Sequence, residues 1–299
     1  MASASSDVDS GNNFDADFKE HFNSDMLTML RQGSSNDVRL KLSDGEITAN
    51  KDVLAARSEY FAANFRWIEE TKDHSNIIEI KDCSKEVMER IIKYLFTGTI
   101  KYKNLGLLKL LELVNQVRKL LLKDELQYLI ESYIRDVVLS PGSLVKVGYL
   151  NSSGLNLIRG LQYADKFVID GVRNRILARL RCLLPYVTVN AEAISAFSTL
   201  SIQIIKELFS LPPVPRMIEH EQHIWNFAKF EYFSALYKQN EDMCQEDKEE
   251  ILGMIDLDLF PPTALFKQVK PSGFFPDTEV DRRIYKYLKE MDRLGGWSV

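Results

Sequence analysis

Residues 38–49 constrain the fold more than any other stretch. Val38, Leu40 and Leu42 alternate with Arg39 and Lys41, and Ile47 and Ala49 continue the pattern beyond Asp44-Gly45. A period of two places apolar side chains on one face of a strand and charged ones on the other. Asp-Gly supplies a tight hairpin turn, because glycine takes positive φ without a Cβ clash. A lone hairpin is marginal in water, so its apolar face needs a cover. The pattern predicts two half-buried strands joined by a hairpin turn.

The residues that follow supply helices. Positions 51–66 read as one helix, with Val53, Leu54, Tyr60, Phe61 and Phe65 as core candidates. Positions 76–80 read as a short β-branched strand. Ser84 is placed to cap the next helix, whose apolar face is Val87, Met88, Ile91, Ile92 and Leu95, and Gly98 to stop it. Positions 99–103 alternate again as a strand. Leucine-rich helices are expected at 105–122 and 124–139, with Pro141-Gly142 as the breaker. Upstream, Phe14, Phe18, Phe22, Met26, Leu27 and Leu30 form one helical face ended by Gly33. That face covers either its own core or a second copy of the chain. Residues 1–13 have almost nothing to bury and are expected to be a disordered tail. Beyond 140, helices are expected at 155–167, 170–184, 191–209, 219–238, 245–255 and 278–294. No fixed-period repeat appears, so a solenoid is not expected.

Composition narrows the function classes. A chain of 299 residues allows about two domains. Hydrophobic residues make up 45% and charged ones 27%, an ordinary soluble balance. A formal charge of −5 argues against general binding to phosphate backbones. Cys83, Cys182 and Cys244 are odd in number and far apart, which suits a reducing compartment better than a disulfide framework or a zinc site. The first residues lack the basic and apolar regions of a secretory signal, and no apolar run reaches membrane-spanning length. A cytoplasmic location is expected, with the nucleus as a second. No Gly-rich phosphate loop and no nucleophile–base constellation emerges, so an enzyme is not expected, nor any cofactor or metal. His220 and His223 have a ligand-like spacing but no obvious third partner.

The order of elements, with Asp37-Val38, Val53-Leu54-Ala55-Ala56-Arg57-Ser58, Tyr60-Phe61 and Phe96-Thr97-Gly98, resembles the BTB (POZ) family. Asn50-Lys51 departs from the His-Lys or His-Arg usual there. The helical half resembles a BACK domain through Ile224-Trp225, Leu257-Asp258-Leu259-Phe260 and Val269-Lys270-Pro271-Ser272-Gly273. It lacks that family's later tryptophan, and no kelch repeats follow. The resemblance implies an α+β BTB domain over 14–139, then an all-α BACK-like domain over 140–299.

It also implies partners. BTB domains of this kind form two-fold homodimers, here through Phe14, Phe18, Phe22, Met26 and Leu30, with an acid–base pocket matched by Asp37 and Lys51. Asp37 has a second reading as a strand cap and Lys51 as a solvated charge. Many BTB–BACK proteins are substrate adaptors of cullin-3 ubiquitin ligases. Those that bind cullin-3 often carry a hydrophobic-x-Glu motif after the Tyr-Phe helix, which Ile68 and Glu70 match, with Tyr60 and Phe61 beside it. Trp67 and Ile68 have a second reading as a cap on the core. The implied function is a cullin-3 adaptor that recruits an unidentified protein substrate. The alternative is a dimerisation scaffold or transcriptional co-regulator without cullin. Direct contact with nucleic acid is not expected, since no Cys/His array is present.

Overall fold

A computed structural model describes residues 24–29, 32, 37–71, 76–140, 150–183, 191–210, 219–239 and 243–293. The chain divides into two compact units, Met1–Val138 and Leu139–Val299. The expected tail, most of the aromatic stripe at Phe14, Phe18, Phe22 and Leu30, and the Pro141-Gly142 breaker lie outside the described residues.

The first unit is α+β. Strands β1 (Val38–Leu42) and β2 (Gly45–Ala49) pair antiparallel, and β3 (Ile77–Glu79) joins β1 in parallel, giving the order β2-β1-β3. Val38, Leu40 and Leu42 point inward while Arg39 and Lys41 face out, as the alternation predicts. The turn sits one residue earlier than expected. Ser43 and Asp44 make it, and Gly45 opens β2 with φ +154°.

Among the described residues five helices follow the hairpin: α1 (Lys51–Arg57), α2 (Glu59–Thr71), α3 (Lys85–Thr97), α4 (Leu107–Lys119) and α5 (Asp124–Tyr133). A wide π turn, Ile134–Val138, extends α5. The expected single helix at 51–66 is thus two. Ser58 breaks it in an extended conformation, φ −146°, and its buried hydroxyl donates to the Leu120 carbonyl at 2.6 Å. Leu54 and Phe61 therefore belong to successive helices that fill one core. Ser84 holds the N-cap position of α3 without capping it. Its hydroxyl accepts from Lys109 Nζ at 2.6 Å, and Asp44 Oδ1 takes the exposed Lys85 amide instead. Gly98 ends α3 in the left-handed region at φ +69°, where its amide reaches the Tyr94 carbonyl at 2.7 Å. Residues 99–103 form no strand. Their carbonyls serve Arg90, Leu105 and Tyr133 rather than a ladder.

The second unit is all helical among the described residues. It comprises α6 (Leu150–Lys166), α7 (Asp170–Leu183), α8 (Ala191–Ser198), α9 (Ile202–Ser210), α10 (Glu219–Gln239), α11 (Gln245–Gly253) and α12 (Asp277–Arg293). A turn at Leu257–Leu259 and a helical stretch from Pro262 to Ser272, widened by a π turn at Leu265–Val269, lie between α11 and α12. The sequence reading assigned no helix there. It also joined α8 and α9, which Thr199, Leu200 and Ser201 separate. The core is rich in rings, with Phe197 against Tyr232 and Phe233 against Phe274 at centroid distances of 4.7 and 5.1 Å.

Arg173 on α7 ties three helices together. It donates to Asp165 at 2.8 Å and to both Glu207 oxygens at 3.1 and 2.6 Å. Arg173→Ala removes a two-pronged contact and is expected to destabilise this unit by about 1–3 kcal/mol. Urea unfolding followed by circular dichroism reads the change, and a shift near zero contradicts it.

Candidate functional site

The start of α1 explains Asp37, Asn50 and Lys51. Asn50 is the N-cap, and its Oδ1 accepts the Val53 amide at 2.8 Å. Asparagine suits this position because its short side chain reaches a free backbone donor. Asp37 Oδ1 accepts the Lys51 backbone amide at 2.7 Å, so it places a carboxylate at the helix N-terminus. The Lys51 ammonium turns away to Glu69 at 2.7 Å and lies 5.3 Å from the Phe65 ring centroid. Asp37 and Lys51 are adjacent, but the bond between them is to the backbone. Of the implied dimer stripe, Met26 alone is described; it is half-buried in the helical segment 24–29.

The implied cullin residues divide by exposure. Phe61 is 0% exposed and Ile68 8%, so both side chains belong to the core of the first unit. Each faces inward from α2, and for Ile68 this suits the second reading, a cap on the core. Tyr60 is half-buried, Glu70 is exposed, and Trp67 is the large apolar side chain that α2 presents, at 59% exposure. Periodicity separates these positions in hindsight. Phe61, Phe65 and Ile68 follow the inward face at spacings of four and three, whereas Trp67 falls off it.

A second surface, whose residues the sequence did not single out, lies between the end of α4 and the α1–α2 break. Leu121 has φ +50°, a conformation that suits glycine. It ends α4 in a Schellman motif, with Leu122 N–H donating to Val117 O at 3.0 Å and Leu121 N–H to Arg118 O at 3.1 Å. Leu121 is 58% exposed. It therefore gains little from burial to offset a backbone strain of about 1 kcal/mol. It borders an open depression of about 370 Å³, floored by Ala55, Ala56 and Ala62 and edged by Glu59, Lys123 and Asp124. Tyr128 and Leu129 on α5 are exposed as well. Val168 ends α6 in the same motif, at φ +53°.

Cys83 is buried, and burial, reinforced by Glu112 and Asp44, pushes its thiol up to about 12, away from a reactive thiolate. Among the described residues, no group of three or more His, Cys, Asp or Glu is placed to hold a metal. Among them also, no helix is long and apolar enough to cross a membrane.

Residues 26–134 match the BTB/POZ domain family, whose members are generally non-catalytic protein-interaction modules. The chain is 33% identical over 92 residues to human zinc finger and BTB domain-containing protein 38, covering 29% of this chain and 8% of that protein. The rat counterpart is 33% identical over 89 residues, with 28% and 7% covered. The chain thus spans less than a tenth of the length of these curated relatives. Among solved structures, the BTB domain of zebrafish PATZ1 is similar at 23% identity and a TM-score of 0.31, covering 44% of this chain and 98% of that one. The BTB domain of human gigaxonin is similar at 25% identity and the same TM-score, with the same coverage.

Proposed function

We propose that the chain is a homodimeric BTB–BACK adaptor that docks on cullin-3 and brings a protein substrate to the ligase. The BTB domain takes residues 14–139 and a BACK-like helical domain residues 140–299, in the cytoplasm, with the nucleus as a second location. The observation that carries the docking step is Leu121, strained and exposed beside the alanine-floored depression. Strain kept on an exposed apolar residue is accounted for when a partner covers it. Trp67 and Glu70 supply a second exposed pair at the end of α2, the end that the hydrophobic-x-Glu resemblance singles out. The adaptor works by proximity: it raises the substrate's effective concentration near the conjugating enzyme and needs no nucleophile of its own. A dimer offers two such sites.

One observation favours a second reading. Ile68, the hydrophobic member of the motif, is buried in its own core. A dimerisation scaffold or transcriptional co-regulator that never meets cullin needs no such motif. Calorimetric titration of the full chain with the cullin-3 N-terminal domain separates the two. Micromolar or tighter binding, weakened by Glu70→Ala, is the expected result. Absence of binding sinks the adaptor reading and leaves the scaffold. Light scattering tests the dimer independently: the native chain is expected to be dimeric, and Phe18→Asp with Phe22→Asp to shift it to monomer. A monomeric native chain contradicts the dimer.

A further inference from the structure

We propose that an open groove in the helical unit docks a peptide segment in which a bulky apolar side chain stands next to a carboxylate. The groove has a volume of about 480 Å³ and runs between α10 and the helical stretch that starts at Pro262. That volume lies in the range of preformed ligand sites, about 300–1,000 Å³. Ile224 and Phe227 from α10 face Pro261 and Ala264, which makes the floor and inner walls apolar. His223 fixes the two sides together: its Nδ1 donates to the Leu259 carbonyl at 2.5 Å. A carbonyl can only accept, so the proton sits on Nδ1. The walls are pinned before any ligand arrives, which lowers the cost of ordering on binding.

Charge selects the occupant. Lys267, in the π turn, is the one permanently charged residue among the described lining, and no carboxylate accompanies it. Its side chain is exposed and has no ion pair or hydrogen bond among the described residues. Thr263 and Gln268 add hydrogen-bonding groups at the same wall. On a chain with net charge −5, an unpaired cation beside an apolar trough is complementary to an anion with an apolar neighbour. A nucleic acid calls for several cations along its path, and one lysine does not supply them. A peptide whose aromatic or leucine side chain fills the trough, with Asp or Glu meeting Lys267, satisfies both features. The assignment does not depend on cullin binding, although in an adaptor this groove is where a substrate segment would sit.

The test is a selection from random dodecamer peptides displayed on phage, using the full chain as bait. Enriched peptides are expected to place Phe, Leu, Trp or Tyr next to Asp or Glu. Synthetic versions are expected to bind Lys267→Glu about tenfold or more weakly, because like charges then meet. Ala264→Trp, which fills the trough, is expected to abolish binding. Circular dichroism checks that both variants fold, and Lys267→Glu suffices if Ala264→Trp does not. No enrichment overturns the proposal. So does enrichment of basic or uncharged apolar peptides, or of acidic ones that bind Lys267→Glu as well as the native chain. None of these outcomes depends on cullin, so failure here and failure of the adaptor reading are distinguishable.

Discussion

Phe61→Ala is expected to destabilise the BTB unit by about 3–5 kcal/mol, the usual range for removing a buried phenylalanine. Phe61 has no exposed surface, stacks on Phe65 at 6.2 Å and meets Tyr60 edge-on at 5.5 Å. It also follows the Ser58 break, so it joins the short α1 to the core through the start of α2. A domain of this size has about 5–15 kcal/mol of stability in total, so the loss is a large fraction of it. Trp67→Ala, on an exposed position of the same helix, is expected to change stability by about 0.5 kcal/mol or less. Urea denaturation of the two variants reads the difference. Equal small shifts would mean that Phe61 is not a core residue and would return it to the partner contact that family resemblance gave it.

Lys229→Met is expected to stabilise the helical unit near neutral pH, by on the order of 2 kcal/mol. Lys229 is buried on α10, donates to the Met254 carbonyl at 3.1 Å and lies 5.5 Å from the Trp225 ring centroid. Burial, with repulsion from Arg181, pushes its ammonium down from 10.5 to about 8. At about 1.4 kcal/mol per pKa unit this is about 3–4 kcal/mol, reduced to about 2 by residual solvent screening and by the Met254 bond that methionine loses. The sign follows from proton counts. Below about 8 both states hold the proton, and burying the charge disfavours the folded state. Between 8 and 10.5 the unfolded chain keeps a proton that the folded one releases, so the Lys229 contribution to stability rises with pH. The advantage of Lys229→Met should therefore shrink as pH climbs from 7 towards 10. Denaturation at several pH values checks this; a variant that is less stable at neutral pH, with a gap that does not change, contradicts it.

Much of the BTB fold was legible because its signals are local. The 38–49 alternation and Gly98 each depend on near neighbours in sequence, and both stand as read. Ser58 was not legible as a break, because its hydroxyl partner is the Leu120 carbonyl, sixty-two positions away. The strand read at 99–103 failed in part for the same reason, since Arg90 of α3 and Tyr133 of α5 take the Lys101 and Lys103 carbonyls, while a local turn gives the Tyr102 carbonyl to Leu105. On α2 and at the end of α4, the hydrophobic-x-Glu resemblance drew attention to Ile68, while exposure selects Trp67 and Leu121. Nothing in a leucine run announces that its middle residue has positive φ. The groove beside α10 was hidden in the stretch from Pro261, where Pro261, Pro262, Pro271 and a π turn disguise a helix.

Leu121→Gly tests the docking account most directly, because it is expected to move two quantities in opposite directions. Glycine accepts φ +50° without strain, so the BTB unit should become about 0.5–1 kcal/mol more stable. Loss of the exposed side chain should weaken cullin-3 binding about tenfold or more, as removal of an interface anchor does. The measurement is denaturation and calorimetric titration on the same preparation. Higher stability with weaker binding is the predicted result. A variant that binds as tightly as the native chain, or that is less stable, contradicts the account.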